Sequence, residues 1–270
     1  MSNLWSVRRA TVVTAGLALA SVGMISCALD DGDLGEVDDE TTSVQAAAVT
    51  PTLRFAGGDW IIKAGTGMGP GPNTWDPANA WVDSSGALHL KLSYVNGEWR
   101  CAQVISKTNY GFGSYQFQVI GPIDKLDKNV VLGLFDYPAF GVAPDGTNEI
   151  DIEFARWGSA TNPNGNWTVY PTQLGTPPTT HKFNFALNGS YTTHRFTRTA
   201  TSVSYESLHG HVDGPGSQIA SWTFAPSQPS LLVPQRALPV LFNLWLFQGR
   251  PPSDGKPVEI IIKSFKFRTP

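Results

Sequence analysis

Between residues 148 and 154 the chain reads Asn-Glu-Ile-Asp-Ile-Glu-Phe, with acids at 149, 151 and 153 and apolar residues at 150, 152 and 154. Alternation with a period of two is the mark of a β-strand. On a strand, residues two apart share a face. Glu149, Asp151 and Glu153 are therefore expected to project together, with Ile150 and Ile152 on the opposite face. Three like charges on one strand face repel each other, so folding alone gives no reason for the arrangement. A solvated edge strand would mix Thr and Lys among its outer residues, whereas here every polar position is acidic. Bond cleavage that needs two carboxylates flanking one bond does call for such a pattern.

The surrounding sequence extends the strand reading. Residues 87–92 alternate, and Glu98 to Ser106 follows across Asn96-Gly97, a pair that favours a type I′ hairpin turn. Phe112 to Ile120 is a further strand. Residues 130–135 are continuously apolar, as in a strand buried on both faces. Short strands are expected at 181–187, 192–199, 201–208 and 218–224, and Leu238 to Phe247 and Val258 to Phe267 close the chain. No stretch of useful length has helical periodicity. The 27 Gly, 20 Pro and 9 Trp suit many strands joined by turns. Together these features predict an all-β domain, a sandwich or a barrel.

Three segments carry a family resemblance. Glu149-Ile150-Asp151-Ile152-Glu153-Phe154 resembles the active-site signature of glycoside hydrolase family 16, which includes licheninases, laminarinases, agarases and carrageenases. Tyr110-Gly111-Phe112-Gly113-Ser114-Tyr115 resembles the family's Tyr-Gly-Tyr-Gly-x-Tyr strand entry, and Phe242-Asn243-Leu244-Trp245 its Met-Asn-Leu-Trp segment. They occur in the family's order and imply a match over about residues 52 to 268. The resemblance implies a two-sheet jelly roll with a substrate cleft across a concave sheet, and the acid strand interior to that sheet. It assigns Glu149 as nucleophile, Glu153 as general acid/base and Asp151 as helper in an endo-acting, retaining hydrolysis of a β-linked polysaccharide. A non-catalytic carbohydrate-binding module on the same fold is the alternative. Trp245 is implied as a sugar platform rather than core, with Trp157 at the cleft rim and Gln103 and Tyr170 as further sugar contacts. No cofactor is required, and a structural calcium ion would follow by analogy alone.

Retaining hydrolysis needs its two carboxyls roughly 5–5.5 Å apart. Four residues along a flat strand span about 13 Å, so the Glu side chains must lean together. Asp151, the shorter acid, would sit between them. Its charge and that of Glu149 are expected to raise the pKa of Glu153 and keep it protonated.

The family pattern is not complete. Licheninases follow the position of Cys101 with Ala-Glu-Asn-Arg, whose Glu and Arg contact sugar, whereas this chain has Ala102-Gln103-Val104-Ile105. They also place a Trp where Thr147 stands. Laminarinases carry one more residue inside the acid motif. The licheninase disulfide would need a partner for Cys101 near Asn73, so that bridge is expected to be absent, with Cys101 a buried small hydrophobe. His194 is read as structural, and His209 and His211 as turn residues rather than a metal pair.

Residues 1–27 read as an export signal. Arg8 and Arg9 precede an uncharged run from Ala10 to Ile25, too short for a membrane span of roughly 20 residues. Met24-Ile25-Ser26-Cys27 resembles a bacterial lipobox, which implies lipidation of Cys27 and a membrane anchor. Cleavage after Ala20, leaving a secreted protein, is the alternative. Residues 28–50 form an acidic tether, with Asp30, Asp31, Asp33, Glu36, Asp38, Asp39 and Glu40 close together and little to bury. The single domain is then 51–270. No basic stripe accompanies the net charge of −3, which argues against nucleic acid as a partner. A monomer is expected.

Overall fold

The computed structural model describes residues 50–270. The export signal, Cys27 and the acidic tether lie outside the described residues. In chain order the strands are β1 Thr52–Phe55, β2 Gly58–Ile62, β3 Gly65–Met68, β4 Asn73–Trp75, β5 Ala80–Val82, β6 Leu88–Val95, β7 Glu98–Tyr110, β8 Gly113–Ile120 and β9 Val130–Asp136. They continue as β10 Ile150–Phe154, β11 Gly165–Val169, β12 Thr179–Phe183, β13 Tyr191–Arg198, β14 Val203–His209, β15 Gln218–Phe224, β16 Leu238–Leu246 and β17 Val258–Arg268.

Pairing arranges these strands in two sheets. The front sheet runs β12-β11-β10-β9-β16-β7-β2-β1. The back sheet runs β15-β14-β13-β8-β17-β6-β5. The long strand β7 links them, because its first residues pair with β6 and its later ones with β16. The link works because Asn96 and Gly97 both take positive φ, 52° and 84°, as the expected type I′ turn requires. All of these pairings are antiparallel. The short β4 alone runs parallel to its neighbour, β7.

Between the sheets lies an aromatic core. Trp60, Phe117, Phe196, Tyr115, Tyr205, Trp167 and Phe242 are all fully buried. Tyr115 stacks on Phe196 with ring centroids 4.3 Å apart, and Trp60 on Phe242 at 4.8 Å. Ile150, Ile152 and Phe154 point into this core and are no more than 1% exposed. Strand β9 is buried along its whole length, as its unbroken apolar run implies. The front face carries its own smaller apolar cluster of Ile105, Phe135, Ala139 and Leu241, with Ile61 and Tyr137 packed against it.

The main strands match the sequence reading, but six were not anticipated. Strands β1 to β5 have little alternation to read, and β11, Gly165-Asn-Trp-Thr-Val169, opens on Gly and Asn, which are depleted in strands. The cradle between β10 and β12 overrides that local preference.

Candidate active site

Strand β10 is interior to the front sheet, between β9 and β11. Register then shows what surrounds each acid. Asp151 stands opposite Phe135 on one side and Thr168 on the other. Glu153 stands opposite Gly133 and Asn166. Beyond Gly133 the same row continues to Asn243 and then Gln103. The acids, Gln103 and Trp245 therefore share the front face, and the isoleucines share the core face.

Glu149 itself stands just ahead of the strand. Asn148 takes φ 55°, a left-handed conformation that Asn tolerates, and its N–H donates to Pro171 O at 2.9 Å. The carbonyl of Glu149 accepts from Tyr170 N–H at 2.8 Å. The N–H of Ile150 donates to the side chain of Asp136 at 3.0 Å. Asp145 accepts from Gly146 N–H and from Tyr137 Oη, closing the preceding turn. Thr147, at the licheninase Trp position, is buried and donates to Pro144 O within that turn.

Glu149 and Glu153 are half-buried, while Asp151 between them is only 4% exposed. Burial raises the pKa of all three, since desolvation penalises a carboxylate. For Glu149 the upward push is opposed by a hydrogen bond with Asp151, and the same bond pushes Asp151 further up. The bond therefore favours the proton on Asp151 over Glu149. Glu153 is raised by burial, and because repulsion among the three acids is mutual, the like charges that the sequence reading invoked act beside it. Glu149 and Asp151 are both pushed up in turn by the charge of Glu153. The hydroxyl of Tyr170 is raised first by burial and then by the charges of Asp151, Glu149 and Glu153.

The other expected contacts are dispersed along this face. Gln103 is 5% exposed and pairs with Asn243 across β7 and β16. Trp157, at φ 51°, is half-buried, with its ring 6.2 Å from Trp245 and 5.6 Å from Phe247. Trp245 is only 7% exposed, so the contrast of platform and core does not hold for it: it is on the front face and packed at once. Ile105, at the licheninase Arg position, joins the apolar cluster with Phe135 and Leu241.

Several neighbours of the acids escaped sequence reading. Asn243 and Asn166, in the rows on either side of Glu153, each bury a carboxamide oxygen that has no partner. Gly133 leaves room for Asn243, since a Cβ there would lie 2.5 Å from its Oδ1. Asp136 is fully buried, against Arg198. Only the register between strands reveals these neighbours.

The cysteine and histidine readings can be placed as well. Cys101 is a free, fully buried thiol, and Asn73 occupies the partner position, accepting from Sγ at 3.5 Å. Burial pushes that thiol up to about 12. His194 is fully buried between Ser207 Oγ and Thr192 Oγ1, both at 2.8 Å, and burial lowers its pKa to about 3. His211 meets the carbonyl of Val119 at 3.1 Å. Among the described residues no group of three or more His, Cys, Asp or Glu is placed to hold a metal ion.

No protein-family model matches the chain, and no curated protein is similar enough to be matched. Solved structures do match. A Bacillus licheniformis β-glucanase is 22% identical with a TM-score of 0.59, covering 82% of this chain and 97% of its own. A family 16 endo-glucanase from Bacteroides ovatus, in complex with G4G3G-2F-DNP, is 15% identical with a TM-score of 0.59, covering 77% of this chain and 94% of its own. An immunostimulatory antigen and pseudo β-1,3-glucanase of Mycobacterium tuberculosis is 17% identical with a TM-score of 0.60, covering 78% of this chain and 91% of its own. The chain therefore has the jelly-roll fold of the family 16 glycoside hydrolases, with Asp151 and Glu153 on an interior strand of the front sheet and Glu149 just ahead of it.

Proposed function

We propose that this protein is a retaining, endo-acting glycoside hydrolase of a β-linked polysaccharide. The observation that carries the reading is the triplet itself. One interior strand, with the residue just ahead of it, presents two half-buried glutamates and a buried aspartate between them. Glu149, in its ionised form and accepting a hydrogen bond from Asp151, attacks the anomeric carbon and forms a glycosyl ester. Glu153, raised by burial, gives its proton to the departing oxygen as that bond breaks. It then takes a proton from water, whose oxygen displaces Glu149 and restores the original configuration. The step needs no redox partner, because proton and leaving group balance within each half. Gln103, Tyr170, Trp157 and Trp245 line the face on which the glycan would lie.

One observation favours a second reading, a binding module on the same fold. Ile105 stands at the licheninase Arg position and packs with Phe135 and Leu241, so part of the front face is apolar. One of the similar structures is moreover described as a pseudo β-1,3-glucanase. The two readings separate on catalysis. The domain should release new reducing ends from at least one of laminarin, lichenan, agarose, carrageenan or xyloglucan. Glu149→Ala should abolish turnover of every substrate, and azide should yield the inverted α product. Glu153→Ala should still react with an activated aryl glycoside, and azide should yield the β product. Opposite stereochemistry in the two variants would exchange their roles. Glycan binding without cleavage by the wild type would establish the module.

The same reading assigns Cys27 as a lipid anchor holding the domain at a bacterial envelope, with residues 28–50 as its tether. One acyl chain gives only marginal binding, and several hold firmly. Mass spectrometry of the mature N-terminus decides this: an acylated Cys27 supports the anchor, and a free amine on Ser21 refutes it.

A further inference from the structure

The strand that carries the acids is held from behind by a charge that the proposed chemistry does not use. Asp136 ends β9 directly opposite Ile150. In a regular antiparallel ladder a hydrogen-bonded pair exchanges two backbone bonds. Here the N–H of Ile150 donates instead to Asp136 Oδ1, at 3.0 Å. The second oxygen, Oδ2, lies 3.2 Å from Arg198 Nη1, and both side chains are completely buried. Arg198 reaches across from the back sheet and is fixed there. Its Nη2 donates to Tyr110 O at 2.8 Å and to Tyr115 Oη at 3.0 Å.

Such a pair is costly to bury, and apolar residues of similar volume often serve stability as well or better. Its position suggests what it does. Ile150 is the residue between Glu149 and Asp151, so whatever holds its backbone holds both acids. Asn148, one residue further back, has the left-handed conformation that turns the chain into the strand. We propose that Asp136, held by Arg198, is a positioning residue that anchors the backbone of Ile150 and so fixes the reach of Glu149 and the hydrogen bond that Asp151 gives it. The proposal rests on the hydrolase reading for its catalytic consequence, while the anchoring itself does not depend on that reading.

The groups facing Asp136 are Arg198 on β13, Tyr115 on β8 and Tyr205 on β14, with Glu149 and Asp151 across the strand. Arg198 is the cation among them. The charge of Asp136 pushes both Glu149 and Asp151 upward, so neutralising it should make Glu149 easier to ionise.

Two variants of the full chain test this. Asp136→Asn keeps an oxygen for Ile150 N–H but removes the charge. Asp136→Leu with Arg198→Met removes both charges together, which keeps the interior free of an unpaired ion and the protein folded. Three measurements apply to each: amide hydrogen exchange at Ile150, a carbon-13 titration of the Glu149 carboxyl, and kcat and KM on the glycan that the wild type cleaves. The paired variant should exchange Ile150 about tenfold faster or more, as a lost anchor of roughly 1.4 kcal/mol implies. Its kcat should fall about tenfold or more with KM little changed, since a misplacement of ~1 Å can cost ~10²-fold. Asp136→Asn should keep Ile150 protected and lower the titration midpoint of Glu149. The proposal is overturned if the paired variant melts lower yet keeps wild-type exchange at Ile150, or keeps a wild-type kcat. If the wild type cleaves no glycan, the hydrolase reading has failed, and the exchange and titration results still decide whether Asp136 anchors the strand.

Discussion

Replacing Trp245 with Ala separates two roles that the sequence set against each other. The side chain is only 7% exposed, on the interior strand β16, with the Trp157 ring 6.2 Å away at 59°. Truncating a buried Trp to Ala costs about 3–5 kcal/mol. Each kcal/mol moves the melting temperature of a domain this size by about 2–4 °C, so the fall should be roughly 6–20 °C. A sugar platform outside the core, as the resemblance implied for Trp245, would leave the melting temperature near wild type, and the burial of the indole reverses that expectation. Trp245→Phe keeps an aromatic ring beside Trp157 and should lose less. Calorimetry gives the stability, and glycan cleavage well below both transitions gives the contribution to substrate use. A fall of less than about 2 °C would refute the packing argument, because even 1 kcal/mol should move the midpoint that far. A large fall in melting temperature with wild-type KM and kcat at low temperature would leave Trp245 as core alone.

Two further outcomes follow from the site. Gly133→Ala places a Cβ 2.5 Å from Asn243 Oδ1 and 3.3 Å from the Phe135 ring, so it should destabilise by about 1–3 kcal/mol. It should also lower turnover by displacing the row beside Glu153, and a melting temperature equal to wild type would show that Asn243 yields freely. Asp151→Asn should stabilise the domain at neutral pH while slowing catalysis, with a gain of 1 kcal/mol appearing as about 2–4 °C. The sign follows from the raised pKa of Asp151 in the folded state: its contribution is fully present below the ordinary carboxylate value of about 4 and is lost as pH rises through the raised value. Melting curves of both proteins should therefore converge near pH 3 and separate toward pH 7. A difference that is constant with pH would refute the linkage.

How far the sequence disclosed this site depends on the kind of information each feature carries. Alternation is local, so Glu149, Asp151 and Glu153 could be put on one face and Ile150 and Ile152 on the other, and both placements hold. The hairpin at Asn96-Gly97 is local too, and both residues adopt the positive φ that the pair favours. Asp136 is the opposite case. It ends the apolar run Val130-Val-Leu-Gly-Leu-Phe135, where an acid reads as the first exposed residue of a turn. Its burial depends on Arg198, 62 positions later in the chain. Gly133 likewise looks like a weak point in a strand until β16 brings Asn243 over it.

Glu153 shows a third kind of information, a cause that the sequence carries only in part. Its upward shift was anticipated from like charges nearby, which are visible in the sequence. Burial adds to it, and burial depends on residues brought in by other strands. The distinction has a mechanistic consequence. An acid raised by its neighbours' charges would lose much of that shift once Glu149 became a neutral ester. An acid raised by burial keeps that shift for as long as it stays out of water, so the part of the Glu153 shift that burial supplies remains after the ester forms. The base that must activate water in the second half is then the same perturbed group that protonated the leaving group in the first. Trapping the glycosyl ester with a slow substrate and titrating the Glu153 carboxyl by carbon-13 resonance tests this. Its midpoint should stay well above the ordinary carboxylate range, and a return to about 4.3 on ester formation would assign the shift to the charge of Glu149 after all.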